Sequence, residues 1–181
     1  VVANTMVKHN LVESDYNKRR ESCERARDVI RQVCPQVKML RDVDRKMLES
    51  CRDKMDAVDY RRALHVVGED ERVMRGVAFL EKGDIRSFGE LLFESHESSR
   101  VNFENSCPEL DALVEIARSI PDCLGARLSG GGFGGITIHL VRHDAAEGYC
   151  NRLKTAYKAM TGKETQTILC DIGDGASAQA L

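Results

Sequence analysis

The sequence contains no tryptophan, and only 5% of its 181 residues are aromatic, so it offers few side chains for a base-stacking surface. It also lacks an excess of either charge: 27 Lys and Arg residues stand against 29 Asp and Glu residues, for a net charge of −2. This balance argues against a general binder of nucleic acids or of anionic membranes. No run of about 18 apolar residues is present, so no membrane-spanning helix is predicted. The apolar fraction of 42% is enough for one substantial core.

The seven cysteines do not form a recognisable disulfide or zinc framework. Their number is odd, no two of them form a Cys-x-x-Cys pair, and no Cys/His pair has the spacing of a zinc finger. The pattern favours scattered buried thiols in a reducing compartment, and we expect a cytoplasmic protein. A disulfide or zinc site is the less favoured alternative. The seven positions are Cys23, Cys34, Cys51, Cys107, Cys123, Cys150 and Cys170.

The chain begins with a strand-like run, VVANTM, over residues 1–6. This run carries no initiator methionine, no basic leader and no cleavable signal. We therefore expect the sequence to be a piece of a longer protein, in which part of a functional site lies before Val1.

Hydrophobic periodicity predicts strands at about 1–7, 125–129, 136–141 and 165–172. It predicts one helix from a Ser14 cap to Pro35 and four more over about 43–55, 59–82, 85–103 and 144–160. A further helix is predicted to begin at a capping box over 106–109. With the extra helices after the first strand set aside, the order is β-α-β-β-α-β. The sequence thus predicts one α+β domain over residues 1–181, with a ferredoxin-like four-stranded antiparallel sheet and an enlarged helical insertion.

The most unusual segment is the glycine-rich run Ser129, Gly130, Gly131, Gly132, Phe133, Gly134, Gly135. Glycine permits positive φ and lets backbone N–H groups approach a ligand, so such a loop can hold phosphate. The simpler interpretation is a tight hairpin connection. A dinucleotide fingerprint is excluded because a predicted strand, and not a helix, follows the glycines. No Gly-Lys-Ser/Thr follows either, so this is not a Walker A loop.

Acid–base candidates are weak. The five histidines are scattered, and we expect each of them to be structural or half-exposed. Asp15, Glu69, Asp70 and Glu71 lie in charged helical stretches and are predicted to face solvent. Tyr16, early in the first helix, is either a packing residue with a hydrogen-bonded hydroxyl or a ligand-facing side chain, and the local sequence favours packing.

Several stretches together resemble the C-terminal half of galactokinases, in the GHMP superfamily of small-molecule kinases. They are residues 8–24, 65–73 (HVVGEDERV), 95–96, 103–111 (FENSCPELD), 125–135 (GARLSGGGFGG) and 174–176. The glycine motif marks the superfamily, whereas the tyrosine segment and the SCPELD stretch are similar to the galactokinase branch. The resemblance covers essentially the whole chain.

This resemblance implies an enzyme that transfers the γ-phosphoryl group of Mg-ATP to the C1 hydroxyl of α-D-galactose. It implies a ferredoxin-like C-terminal domain that forms one wall of the active-site cleft against its own N-terminal domain. Tyr16 falls on a galactose-contacting tyrosine of the family. The loop 129–135 falls on the motif beside the nucleotide phosphates. ATP, Mg²⁺ and galactose are thus the expected cofactors and substrate, with no nucleic-acid or membrane partner.

The family's sugar-binding first motif, its Ser-rich phosphate loop and its catalytic aspartate have no counterpart in these residues. We expect them upstream, so we assign no catalytic residue and no metal ligand to this chain and expect it to be inactive alone. Two alternatives remain open. One is a galactokinase-like regulatory protein that binds sugar and ATP, and the other is a GHMP kinase for N-acetylgalactosamine or a related sugar.

Overall fold

A computed structural model describes residues 1–8, 12–173, 175 and 177 of the chain. It is an α+β protein with one four-stranded antiparallel sheet, built from β1 (Val2–Lys8), β2 (Cys123–Ser129), β3 (Gly134–Val141) and β4 (Gln166–Ile168). The strand order across the sheet is β2-β3-β1-β4. The N-terminal strand therefore lies inside the sheet, between two strands from the last third of the sequence.

The described residues form six α-helices: α1 (Val12–Val33), α2 (Arg45–Ser50), α3 (Ala57–Glu81), α4 (Ile85–Ser98), α5 (Pro108–Ser119) and α6 (Ala146–Thr161). Single turns of 3-10 helix lie at Leu40–Asp42, Arg52–Lys54 and His143–Ala145, and a π-turn at Ser99–Phe103 extends α4. Gly83 and Gly162 follow α3 and α6 with φ of 69° and 71°, the left-handed conformation in which glycine commonly ends a helix. The sequence pattern predicted both of these ends.

The buried side chains form two main clusters. One lies between α5, α6 and the sheet, and the other lies between α1, α2 and α3, so the helical insertion has apolar packing of its own. Representative members of the sheet cluster are Phe93, Leu113, Tyr149, Leu153 and Tyr157, and of the helical cluster Ile30, Val37, Leu48, Tyr60 and Val67. Burial of such side chains is the main favourable term in folding.

Two glycines allow α4 to lie directly on β2. A Cβ atom on Gly89 would come within 2.1 Å of the Leu124 carbonyl oxygen, and one on Gly125 within 2.1 Å of the Gly89 carbonyl oxygen. No side chain fits at either position, so the helix and the strand touch through their backbones. This contact fixes α4 against the strand that leads into the glycine-rich loop.

Four details differ from the sequence-based expectations. Helix α1 begins at Val12, so Ser14 lies inside it and not at its start. The pattern over 43–55 yields only α2 and one turn, because the chain leaves the helix at Cys51. The fourth strand ends at Ile168, whose partner is Val2, and later residues run beyond β1.

The fourth difference is the capping box expected at 106–109, which is wrong. Cys107 and not Ser106 takes the N-cap position of α5, because Pro108 occupies the first position of the helix. The Cys107 side chain makes no capping bond. Ser106 instead donates a hydrogen bond of 2.5 Å to Asp111. Asp174 and Ala176, from the stretch 174–176, and His9, Asn10 and Leu11, from the stretch 8–24, lie outside the described residues. No helix among the described residues is long and apolar enough to span a membrane.

Candidate functional site

The loop between β2 and β3 is built almost entirely from residues with positive φ. Gly130, Gly132, Gly134 and Gly135 have φ of 85°, 84°, 120° and 83°, and Phe133 has φ of 58°. Residues with a side chain rarely adopt this conformation, so the glycine content is a geometric requirement of the turn. The predicted position of the loop between two antiparallel strands is confirmed. Its role beside nucleotide phosphates stays a prediction.

Asn105, in the connection between α4 and α5, holds the middle of this loop. Its carbonyl oxygen accepts a hydrogen bond of 2.7 Å from the Phe133 N–H. Its side-chain Nδ2 donates to the Gly131 carbonyl oxygen at 3.2 Å. A Cβ atom on Gly132 would lie 1.9 Å from the Asn105 carbonyl oxygen, so only glycine fits there. At the far end of the loop, the Thr5 hydroxyl of β1 donates to the Gly135 carbonyl oxygen at 2.9 Å.

Arg19 connects the first helix with the loop. Its guanidinium carbon lies 4.8 Å from the centre of the Phe133 ring, within cation–π distance. The same guanidinium group donates to the carbonyl oxygens of Phe103 at 3.3 Å and Glu104 at 2.5 Å. Burial is the main cause that lowers the pKa of Arg19 from its usual value. Arginine suits this position because its planar fork reaches several acceptors while its face lies on a ring.

Glu104 is the residue at which these contacts meet. It has φ of 57°, which turns the chain sharply after the π-turn. Its carboxylate accepts hydrogen bonds from Arg62 at 2.9 Å and Arg61 at 3.4 Å, both on α3. The Arg62 hydrogen bond is the main cause that lowers the pKa of the Glu104 carboxyl. The connection beside the glycine loop is thus fixed to α1 and α3 by charged side chains.

Tyr16 lies one turn before Arg19 on α1, on the part of the helix that reaches the loop. Its side chain is 56% exposed, and its hydroxyl makes no hydrogen bond within the part of the chain that the structure describes. The local sequence favours a packed ring, whereas the structure leaves this ring exposed among the described residues. The ring is accessible at the end of the molecule that holds the glycine loop. Its contact with a sugar stays a prediction.

His96 lies beneath the end of β2, next to the start of the loop. Its Nδ1 accepts the Leu128 N–H at 3.2 Å, so Nε2 carries the proton and donates to Asp111 at 3.1 Å. Burial alone would raise the pKa of Asp111, but the hydrogen bonds from His96 and Ser106 hold it below its usual value. His96 is therefore a structural histidine, as expected, and it fixes the strand that carries Ser129.

The prediction that Glu69 faces solvent is wrong, because other side chains bind its carboxylate. It accepts hydrogen bonds from Arg72 at 2.6 Å and Ser95 at 2.9 Å, and it lies 3.2 Å from a guanidinium nitrogen of Arg127. This network joins α3 and α4 to β2. Asp70 and Glu71 are exposed as predicted.

Sequence reasoning gave no functional weight to Asn105, Arg19 or His96. All three occur inside the stretches with family resemblance, which was the only available signal. The seven cysteines are unpaired, six of them at least half-buried. Within the described residues, no three His, Cys, Asp or Glu side chains come together in a way that could hold a metal ion.

Comparison with known proteins gives a consistent relationship. Residues 77–159 match the family model described as GHMP kinases C terminal. The galactokinase of Roseiflexus sp. (strain RS-1) is 38% identical over 175 residues, which cover 97% of this chain and 45% of that protein. The galactokinase of Homo sapiens is 40% identical over 181 residues, which cover 100% of this chain and 44% of that protein. The chain thus spans somewhat less than half the length of these relatives.

Solved structures agree with the sequence comparison. The structure of Lactococcus lactis galactokinase complexed with galactose superposes with a TM-score of 0.85 at 31% identity, covering 91% of this chain and 42% of that one. The L. major mevalonate kinase in complex with R-mevalonate has a TM-score of 0.52 at 22% identity, which shows a shared fold alone. The chain belongs to the GHMP kinase family and is homologous to the galactokinases along its whole length.

Proposed function

We propose that this chain is the C-terminal half of a galactokinase, an enzyme that transfers the γ-phosphoryl group of ATP, as its magnesium complex, to the C1 hydroxyl of α-D-galactose. The observation that carries this proposal is the whole-chain similarity to galactokinases, together with the backbone likeness to a galactokinase solved with galactose. The chain forms one wall of the cleft, and the upstream half supplies the catalytic base and the Ser-rich phosphate loop.

Within this proposal, the glycine loop 129–135 lies beside the nucleotide phosphates and Tyr16 contacts the sugar. The contact of Arg19 with Phe133 supports this assignment, because it brings the helix of Tyr16 and the glycine loop to the same end of the molecule. A loop locked in left-handed backbone conformations is preorganised, and phosphoryl transfer depends mainly on positioning and charge stabilisation. We assign no magnesium ligand to this chain.

We further infer that the fold is the ferredoxin-like arrangement over a single domain of residues 1–181, with α1 to α4 as the helical insertion that enlarges the first crossover. The antiparallel strand order β2-β3-β1-β4 and the packing of α5 and α6 on the sheet support it. We also propose a cytoplasmic location, which the seven unpaired cysteines support.

The test is a kinase assay with Mg-ATP and galactose on the full-length protein and on the 181-residue chain in parallel. We expect galactose 1-phosphate from the full-length protein and none above background from the chain alone. Comparable turnover by the chain alone would contradict the division of the site between two halves. Faster turnover of N-acetylgalactosamine than of galactose by the full-length protein would contradict the proposed substrate.

A further inference from the structure

We propose that Asn105 is a positioning residue that sets the conformation of the glycine loop for the nucleotide. The proposal rests on the proposed function, because it assigns the loop to ATP. It concerns the segment Glu104–Ser106, called here the strap, which lies in the connection between α4 and α5 and contacts the glycine loop. No part of the strap needs to touch a substrate for this role.

Asn105 contacts three consecutive residues of the loop. The side chain binds the Gly131 carbonyl oxygen, the backbone carbonyl lies against Gly132, and the same carbonyl accepts the Phe133 N–H. Gly132 and Phe133 both have positive φ, a conformation that persists where neighbouring contacts determine it. Asn105 supplies those contacts.

The Asn105 side chain is buried, so its hydrogen bond to the loop matters for stability. The residue is only 7% exposed, and its Oδ1 atom is buried without a hydrogen-bond partner among the described residues. Burying an amide is costly unless it is hydrogen-bonded. Within the described part of the chain, the bond from Nδ2 to Gly131 is the one that compensates this cost.

The strap is itself anchored on both sides of Asn105. On one side, the carbonyl oxygen of Glu104 accepts from Arg19, and its carboxylate accepts from Arg62. On the other side, Ser106 donates to Asp111, which also accepts from His96. Asn105 therefore projects from a fixed backbone. A residue can determine the geometry of another segment only if its own backbone is held in place.

The kinetic test uses the full-length protein with Asn105→Asp and Asn105→Ala. Asn105→Asp replaces the donor with a carboxylate oxygen that faces the Gly131 carbonyl, and Asn105→Ala removes the donor. The matched control is Asn102→Ala, which removes another asparagine Nδ2 hydrogen bond, to Ser98 at 3.2 Å, in the same connection but away from the loop. Thermal unfolding monitors the fold of each variant.

We expect both Asn105 variants to raise the KM for ATP by about tenfold, with kcat and the KM for galactose within about twofold of their original values. The control should leave all three values unchanged. A purely structural role of Asn105 would lower kcat through loss of folded enzyme and leave both KM values unchanged. An unchanged KM for ATP, equal changes in the KM for ATP and the KM for galactose, or an equal change in the control would overturn the proposal.

Hydrogen–deuterium exchange of the peptide that covers residues 130–135 tests the proposal without reference to activity. We expect exchange there to be about tenfold faster in both Asn105 variants and unchanged in Asn102→Ala. Unchanged exchange in the Asn105 variants would overturn the positioning role even in an active kinase. If the unaltered full-length protein phosphorylates no sugar, the proposed function fails, and faster exchange would still support Asn105 as the residue that holds the loop.

Discussion

The Nδ1 atom of His139 lies 2.6 Å from the hydroxyl oxygen of Tyr149 in the buried interior, and its Nε2 atom lies 2.6 Å from the Thr137 hydroxyl. Burial lowers the pKa of His139 to about 3. Burial is also the main cause that lowers the pKa of His65, to about 4. Both imidazoles are therefore neutral in the folded protein at pH values where they are charged in the unfolded chain.

The difference in histidine pKa between the folded and the unfolded chain predicts a loss of stability on mild acidification. The unfolded chain binds more protons than the folded one below about pH 6.5, so the free energy of unfolding falls as the pH drops from 6.5 towards 4. His139→Gln should reduce the slope of the free energy of unfolding against pH by up to about 1.4 kcal/mol per pH unit, which corresponds to one proton. Urea unfolding over this pH range measures the slope. The matched control is His143→Gln, at a side chain 97% exposed, which should leave the slope unchanged.

A second prediction concerns Arg19. Arg19→Lys keeps the charge but loses the fork that reaches Phe103 and Glu104, together with most of the contact with the Phe133 ring. We expect the free energy of unfolding to fall by about 2 kcal/mol. The control is Arg20→Lys, at an exposed ion pair with Glu24, which should not change the unfolding midpoint. Equal effects of the two substitutions would show that Arg19 is an ordinary surface charge.

A third prediction separates two neighbouring glycines. At Gly132, alanine would combine a φ of 84° with a Cβ atom 1.9 Å from the Asn105 carbonyl oxygen. Gly132→Ala should therefore lower the free energy of unfolding by about 3 kcal/mol or more. At Gly131 no atom lies within 4 Å of the added Cβ and φ is not in the left-handed range. Gly131→Ala should stay within about 0.5 kcal/mol. Denaturant unfolding of the two variants decides whether the contact with Asn105 restricts position 132 to glycine.

A fourth prediction tests Tyr16 in the full-length protein. Tyr16→Phe removes a hydroxyl that has no hydrogen-bond partner among the described residues, so the unfolding midpoint should not change. If the hydroxyl binds galactose, the KM for galactose should rise by about 2- to 13-fold with the KM for ATP unaltered. A lower midpoint with unchanged galactose kinetics would return Tyr16 to the packing interpretation.

The sequence was informative where structure depends on neighbours along the chain. It predicted that glycines end helices at Gly83 and Gly162 and that the glycine run connects two strands, because positive φ is a local requirement. Contacts between distant segments have no such signal. Asn105 and Gly131 lie 26 positions apart, and only the folding of α5 and β2 against α4 brings them together.

Two of the sequence-based predictions, the exposure of Glu69 and the length of the fourth strand, are wrong for the same reason. Glu69 belongs to a charged stretch typical of a solvent-exposed face, but Ser95 of α4 and Arg127 of β2 cover it. The alternating pattern after Thr165 is typical of a long strand, yet a strand needs a partner, and β1 offers one only as far as Val2. Periodicity describes what a segment could form, and the tertiary neighbours decide how much of it forms.

The inner position of β1 has a consequence for the order in which the molecule can assemble. Val1 and His139 are hydrogen-bonded although 138 positions separate them, and both neighbours of β1 in the sheet come from the last third of the sequence. At about 5–20 residues per second of synthesis, β1 waits roughly 7 to 30 s for its first partner strand. The helical cluster of α1, α2 and α3 has no such delay, so it can fold on the ribosome before the sheet exists.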